Sequence, residues 1–499
     1  MTKTQLFSSM TIQLNSANLG KLDSRIIVPN YNRPAATQAM MHIGVGGFHR
    51  AHQAAYTDDL LNQGGDTNWS YCGVGLLKHD TRMHEVMEAQ DCLYTLIEQS
   101  SEGNTARVIG SIADFVYAPE NREKVIEQMA SPQTRIVSMT ITEGGYYFDL
   151  NGELDTAHAD LQWDLANPHK PSCSFGYLLE ALDRRRQRGL QPFTILSCDN
   201  IQSNGAVAKK MLSAFAELRD PALRNWMDAN CLFPNSMVDR ITPATTDELR
   251  ELVRDEFGVE DAWPVMTEPF KQWVIEDHFV EGRPKWEDAG AQMTEDVLPY
   301  ELMKLRLLNG SHQALCYIGL LLGKELVHET MEDAGIRALC RKMMDEEVTP
   351  ALSPVPGIDL VEYKNSVIER FGNPAIRDQL SRIAIYGSSG LPSFVLPAIA
   401  AQLKRDGSIK VLSFVIASWF RYLKGLDESG KPMPMLDPMA EKLQACAKAA
   451  GTDARPLLAM REVFSESLAS EPVFVETVSA ILKSFYQKGA EATLNDCIR

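Results

Sequence analysis

Short apolar runs separated by stretches of helical spacing occupy residues 40–300. Met40–Val45, Ser70–Leu76, Arg107–Ile109, Ile136–Ile141, Phe193–Ser197 and Val265–Thr267 read as strands. Helical periodicity lies between several of them, at Ala51–Leu61, Asn121–Met129 and Phe175–Arg186. This alternation predicts a doubly wound α/β domain. The acidic, Pro-containing stretch Gly282–Leu298 reads as a passage into a second region. From about Tyr300 the strand pattern fades. Helices are predicted at Glu301–Leu322, Gly335–Val348, Leu360–Phe371, Val411–Leu423 and Pro472–Gln487. Breaker-rich segments at Leu352–Gly357, Gly387–Pro392 and Gly430–Pro434 read as the turns between them. The expected organisation is an α/β domain over 1–295 and a mostly α-helical domain over 296–499.

Composition narrows the partners. A chain of 499 residues has room for roughly two to four domains, and 44% hydrophobic with 23% charged residues is ordinary for a globular enzyme. The 66 acidic against 49 basic side chains give a formal charge of −17, which repels a polyphosphate backbone and argues against nucleic acid. One bound dinucleotide is still compatible, because backbone amides hold a diphosphate without a basic surface. Met1–Ser9 lacks the long apolar core of a leader, and Val411–Phe420 is too short for a membrane span and is broken by Ser413 and Ser418. The nine cysteines are scattered without a Cys-x-x-Cys pair, so neither a disulfide framework nor a zinc knot is expected and a reducing cytoplasm fits. No protein partner is indicated.

His42-Ile43-Gly44-Val45-Gly46-Gly47-Phe48-His49-Arg50-Ala51-His52 follows a predicted strand and opens a helix. In a Rossmann-type domain that is where a dinucleotide loop belongs. Gly44 permits the tight turn, Gly46 admits the pyrophosphate to the backbone, and the new helix turns its N–H groups there. His49 stands where the third glycine is usual, and glycine-rich turns also occur without ligands. Asp80, beyond the second strand, is the candidate acid for the adenosine ribose, at more than the usual ~20 residues from Gly44. It favours NAD over NADP, although Lys78 and His79 beside it soften that preference; all three also read as solvated loop residues. His49 and His52 are spaced i, i+3, but no third ligand is evident, so packing or capping is the better reading than a metal.

Ile195–Gly205 places polar residues directly after an apolar strand, the end of an open α/β sheet where ligands bind. Asn200 is a candidate amide donor there, and the alternative is a strand-end turn with Asn204 capping a helix. Met237–Pro243 and Ser138–Gly145 are similar polar interruptions. The most informative segment is Lys304-Leu-Arg-Leu-Leu-Asn309-Gly-Ser-His312. In an α-helix Asn309 is offset from Lys304 by about 140° and His312 by about 80°, so all three can lean toward one cleft. A neutral amine that accepts a hydroxyl proton, beside neutral donors for the resulting oxyanion, suits alcohol–carbonyl chemistry. The same residues also read as a surface lysine, a helix-interrupting asparagine and a core histidine. Tyr300-x-x-x-Lys304 matches the Tyr–Lys pair of short-chain dehydrogenases, but far too late in the chain.

Taken together, Gly44–His52, Thr140-Ile-Thr-Glu-Gly-Gly145, Ser197-Cys-Asp-Asn200 and Lys304-x4-Asn309-x2-His312 resemble the polyol-specific long-chain dehydrogenases, and the resemblance runs from about residue 11 into the final helices. It implies reversible, metal-free, NAD-dependent oxidation of D-mannitol to D-fructose, with the site in the cleft between a Rossmann-type and a helical domain. It implies Lys304 as the base, Asn200 and Asn309 as oxyanion donors, and His312 and Arg382 as substrate contacts. Val238 and Asp239 match residues near the nicotinamide, Asp239 also contacting substrate. Ile43, Gly44, Val45, Gly46, Gly47, Phe48, His49 and Asp80 complete the implied cofactor site. One departure concerns substrate: relatives commonly carry lysine in the Gly-Ser-Ser-Lys-x-Pro turn, whereas this chain has Gly390 there, and Tyr386 precedes the turn where close relatives have aspartate. Alternatives are a relative acting on another polyol or on a hexuronate (a D-arabinitol dehydrogenase or a fructuronate reductase) and a non-catalytic NAD-binding sensor.

Overall fold

The computed structural model describes residues 11–33, 38–65, 68–149, 152–385 and 387–499. The readings of Met1–Ser9 and Tyr386 lie partly or wholly outside them. The chain divides into two compact units, Met1–Val297 and Leu298–Arg499.

In the first unit, five parallel strands form the central sheet: β1 (Met40–Ile43), β2 (Tyr71–Gly75), β3 (Ile112–Tyr117), β4 (Ile136–Met139) and β5 (Thr194–Ser197). Their order is β3-β2-β1-β4-β5, which is five of the six strands of a doubly wound sheet, with the strand order switching sides at β1. Alternate residues face opposite ways. Met41, Ile43, Val74, Val137 and Ile195 pack on one core with helices Ala118–Ala130, Ser174–Gln187 and Asn204–Arg219. Met40, Tyr71, Ile136 and Leu196 pack on a second core with Ala51, Tyr56, Trp273 and Trp286. Burial on both faces explains why these strands read as nearly continuous apolar runs. Two small sheets flank this frame. In one, Tyr94–Ser100 lies between antiparallel Gly103–Ile109 and parallel Val265–Thr267. In the other, Gln272–Glu276 lies between antiparallel Ser236–Asp239 and parallel Gln292–Thr294.

The second unit is built mainly of helices. Gly310–Leu321 and Lys410–Tyr422 are buried along almost their whole length, as helices apolar all round must be. Two sequence expectations change here. The predicted helix Glu301–Leu322 is three pieces: Leu298–Met303, a π-helical turn Lys304–Asn309, and Gly310–Leu321. Gly387–Pro392, expected as a turn, is instead the start of helix Gly387–Phe394. Tertiary contacts override the breakers: the buried Asp437 carboxylate accepts the Ser388 N–H and hydroxyl, both at 2.8 Å, satisfying the helix start. Gly387 has no room for a side chain, since a Cβ there would lie 2.6 Å from Trp419 Nε1. Among the described residues, no helix is long and apolar enough to cross a membrane.

Candidate active site

In the first unit, the candidate residues gather at the carboxyl ends of the strands. Gly44 leaves β1 with φ +90°, and a Cβ there would lie 2.2 Å from the Thr140 carbonyl oxygen, so only glycine fits. Gly46, in extended conformation, precedes helix Gly47–Ala51, and its missing Cβ faces open space apart from the Gly44 carbonyl at 4.0 Å. Together these two positions form a backbone cradle at a helix start. The chain then breaks at His52 (φ −116°, ψ −87°) before helix Gln53–Asn62 resumes. The predicted Ala51–Leu61 helix is therefore interrupted.

Of the predicted loop residues, Gly44, Gly46, Gly47 and Phe48 keep exposure, whereas Ile43, Val45 and His49 are buried and can offer a ligand only backbone. His49 fills the third-glycine position by stacking its ring on His42, with centroids 3.4 Å apart. His42 Nε2 lies 3.0 Å from Thr140 Oγ1, and that hydroxyl donates to the Gly44 carbonyl at 2.7 Å. Thr140 therefore accepts from Nε2–H, and in the neutral ring Nδ1 accepts from Ser138 Oγ at 2.8 Å, a hydroxyl that also lies 3.3 Å from the Met41 carbonyl.

Burial pushes His42 and His52 down to about 3 and His49 well below its ordinary value. The unfolded rings titrate near ~6.5, so the stability linked to them is full above that pH and is lost as pH falls toward the folded values. Each ring then contributes a slope approaching ~1.4 kcal/mol per pH unit below about pH 5.5. His52→Gln keeps a donor for the Gln272 carbonyl, which His52 Nε2 contacts at 2.8 Å. Urea unfolding of this variant between about pH 5.5 and 4.5 is expected to show a slope smaller by that amount. Equal slopes for variant and wild type would refute the assignment.

Asp80 ends the short 3-10 turn after β2 and accepts the Leu77 N–H at 2.8 Å. It sits against the strand end, where a Cβ on Gly75 would lie 2.9 Å from its own Cβ. Lys78 and His79 are exposed beside it. Asn200 is exposed just beyond β5. Asn204 donates from Nδ2 to the carbonyls of Asp199 (3.0 Å) and Ser236 (2.8 Å), stitching β5 to the strand that carries Val238 and Asp239, both buried. Sequence reading leaves one neighbour without a role: Asp199, whose carboxylate accepts the Ile141 N–H (3.1 Å), the Thr142 N–H (2.8 Å) and the Tyr146 hydroxyl (2.7 Å).

In the second unit, Lys304 is 6% exposed and heads the π-helical turn that closes at Asn309. The Gly310 N–H reaches back five residues to the Leu305 carbonyl. Bonding of this span sets residue i+5 close above residue i, so the turn aligns Lys304 and Asn309, which an α-helix would splay by about 140°. His312 follows on the continuing helix, its ring 4.2 Å from that of Phe371. Arg382 is held by Asp378 through two hydrogen bonds of 2.7 and 2.6 Å. Tyr300 is almost fully buried and its hydroxyl donates to the Pro356 carbonyl, which makes it a packing residue. Gly390 is buried, and a Cβ there would meet Gln313 Nε2 at 3.2 Å and the Phe394 ring at 3.3 Å. Among the described residues, no group of three His, Cys, Asp or Glu side chains is placed to hold a metal ion.

A glycine cradle at the switch point of a doubly wound sheet and a buried lysine on a helical unit define a dehydrogenase-like chain. The family models of the mannitol dehydrogenase Rossmann domain and the mannitol dehydrogenase C-terminal domain match residues 38–288 and 296–486. A mannitol 2-dehydrogenase of Neosartorya fischeri is 47% identical, over 97% of this chain and 98% of the relative. The solved ternary complex of Pseudomonas fluorescens mannitol 2-dehydrogenase with NAD and D-mannitol superposes with a TM-score of 0.90 at 46% identity, covering 97% of this chain and 99% of that one. A D-sorbitol dehydrogenase structure in substrate-free form gives 0.89 at 36% identity, over 97% and 100% of the two chains. The chain belongs to the mannitol dehydrogenase family.

Proposed function

We propose that this protein reversibly oxidises D-mannitol to D-fructose with NAD, using Lys304 as general base and no metal. The observation that carries the reading is the buried Lys304 at the head of a π-helical turn that ends at Asn309. The residues present fit the cofactor: Gly44 and Gly46 leave a cradle that a Cβ would disturb, and Asp80 stands at the end of β2 for the ribose hydroxyls. NAD, when bound, supplies the hydride acceptor. Lys304 Nζ takes the hydroxyl proton while the carbon gives up its hydrogen with both electrons, leaving a carbonyl. Asn200 and Asn309 donate amide N–H groups to the oxygen as it becomes negative, a role in which one donor is worth about 3 kcal/mol of barrier. His312 orients that oxygen, Arg382 and Asp239 hold the rest of the polyol, and Val238 flanks the nicotinamide end.

The test follows NADH absorbance with NAD or NADP against D-mannitol, D-arabinitol and D-sorbitol, and in reverse with ketoses and hexuronates. D-mannitol and D-sorbitol are epimers that both give D-fructose on oxidation at C2, so rates rather than product distinguish them. Preference for NAD and D-mannitol is expected, with turnover unaffected by chelator. Silence on every polyol with NAD still bound would overturn the reading.

Gly390 favours a second reading, a polyol other than mannitol, because a cationic donor found in relatives is missing. Restoring it by Gly390→Lys brings the new Cβ to 3.2 Å from Gln313 Nε2 and 3.3 Å from the Phe394 ring, so both side chains must shift. It is expected to lower the polyol KM about tenfold, the worth of one hydrogen bond of about 1.4 kcal/mol. An unchanged KM for every polyol would show that the position does not govern affinity.

A further inference from the structure

Asp199 is 6% exposed and lies between the ends of β4 and β5. Its Oδ1 accepts the Thr142 N–H, and its Oδ2 accepts the Ile141 N–H and the Tyr146 hydroxyl, which also lies 2.6 Å from Ser197 Oγ. Thr142 has φ +60°, a conformation costly for a β-branched residue, and it persists only where the surroundings enforce it. The Asp199 main chain is fixed as well, its carbonyl accepting from Asn204 Nδ2. The next residue is Asn200. A buried carboxylate thus braces a strained loop against the strand end from which Asn200 projects.

We propose that Asp199 is a positioning residue for the reaction, its ionised carboxylate holding Ile141 and Thr142 against the end of β5 so that Asn200 is aimed at the substrate oxygen. This rests on the role given to Asn200 under the proposed function. Burial raises the Asp199 carboxyl to about 6, opposed by its three donors, and exposed Glu143 adds to the rise. The other titratable groups facing it, Tyr146 and Cys198, are pushed upward by burial and stay uncharged. A carboxyl raised above its unfolded value of ~3.9 makes its stability contribution below that pH and loses it as pH rises through about 6. At pH 8 the folded protein therefore holds this charge at a cost.

The experiment compares Asp199→Asn, Asn200→Ala and the double variant in the intact protein. Asp199→Asn is expected to lower kcat at least tenfold, with the NAD Kd and polyol KM within threefold, and to lower Tm modestly because its Nδ2 must face the Ile141 or Thr142 N–H. The double variant should match Asn200→Ala within threefold, since a residue that acts through Asn200 adds nothing once it is gone. In ketose reduction, where Lys304 starts protonated, wild type should lose activity below about pH 6 as Asp199 takes up its proton. Tyr146→Phe removes one donor to the carboxylate and should move that limb to higher pH; Asp199→Asn should abolish it. If Asp199→Asn fails to fold, the Tyr146→Phe shift decides. Multiplying losses, an unmoved acid limb, or parallel falls in Tm and NAD affinity would overturn the proposal. Should Asn200→Ala itself leave kcat unchanged, the oxyanion role fails and this inference falls with it. A silent Asp199→Asn beside a damaging Asn200→Ala leaves the function standing and removes Asp199 alone.

Discussion

Replacing Lys304 by methionine should lower polyol oxidation by about 10²–10⁴-fold, the range a positioned general base supplies, while NAD still binds. Methionine has nearly the volume of the lysine stem, so the packing of a side chain only 6% exposed is retained. The loss is therefore chemical. The proton of the secondary hydroxyl has no acceptor in the variant, and ketose reduction loses its donor at the same step, so both directions should fall together. Residual oxidation should no longer show the ionisation that governs the wild-type rate, and added hydroxide should replace the missing base at high pH. Stopped-flow NADH absorbance with saturating polyol gives the rate, and NAD titration gives the Kd. Turnover within tenfold of wild type with an unchanged pH profile would remove Lys304 from the mechanism. The π-helical turn gives this prediction its specificity, because it draws Lys304 and Asn309 toward one face and places the proposed base and proposed oxyanion donor on one element.

Periodicity anticipates only a loose version of that alignment. The segment 304–312 announces its chemistry through residue type, but α-helical spacing separates Lys304 from Asn309 by about 140°, and nothing in composition signals a hydrogen bond spanning five residues. The central strands were easier to find for a physical reason: β1, β2, β4 and β5 are buried on both faces, so their apolar runs stand out. β3 escapes the same reading because Ile112-Ala-Asp-Phe-Val-Tyr117 carries half-buried Ala113 and Asp114 at the sheet's edge. The antiparallel pair Tyr94–Ser100 and Gly103–Ile109 is equally obscured by polar residues; only Arg107–Ile109 registers as a strand. Gly387–Phe394 looks like a turn from Gly, Ser and Pro alone. Its helix depends on Asp437, forty-nine residues away, and on close contact with Trp419, neither of which local sequence can express. The same limit applies to Asp199. Its place in the motif is plain, but its partners on Ile141, Thr142 and Tyr146 exist only once β4 and β5 lie side by side.

Gly44 and Gly46 should separate fold from ligand in a way neither does alone. Gly44→Ala places a Cβ 2.2 Å from the Thr140 carbonyl oxygen, at a backbone φ of +90° that alanine rarely adopts. The flexible end of a side chain could move aside, but this neighbour is main chain at the exit of β4. Thr140 is tied there by its N–H to the Ile43 carbonyl at 3.0 Å and by its hydroxyl to the Gly44 carbonyl at 2.7 Å. Relief must therefore part β1 from β4 and disturb His42, which contacts that hydroxyl. Strain and lost hydrogen bonds together should cost about 3 kcal/mol or more, lowering Tm by roughly 5 °C or more in a unit of this size and weakening NAD at the same time. Gly46→Ala meets nothing closer than 4.0 Å and needs no unusual φ. Its Tm should stay within about a degree, because surface substitutions without strain or lost contacts move stability little. Yet its methyl group would stand where the proposed pyrophosphate must meet the backbone, so NAD affinity should still fall at least tenfold. Calorimetry and NAD titration on the two variants read both quantities. Native NAD affinity in Gly46→Ala would place the dinucleotide elsewhere, and a native Tm in Gly44→Ala would show that β1 can leave the sheet by another path.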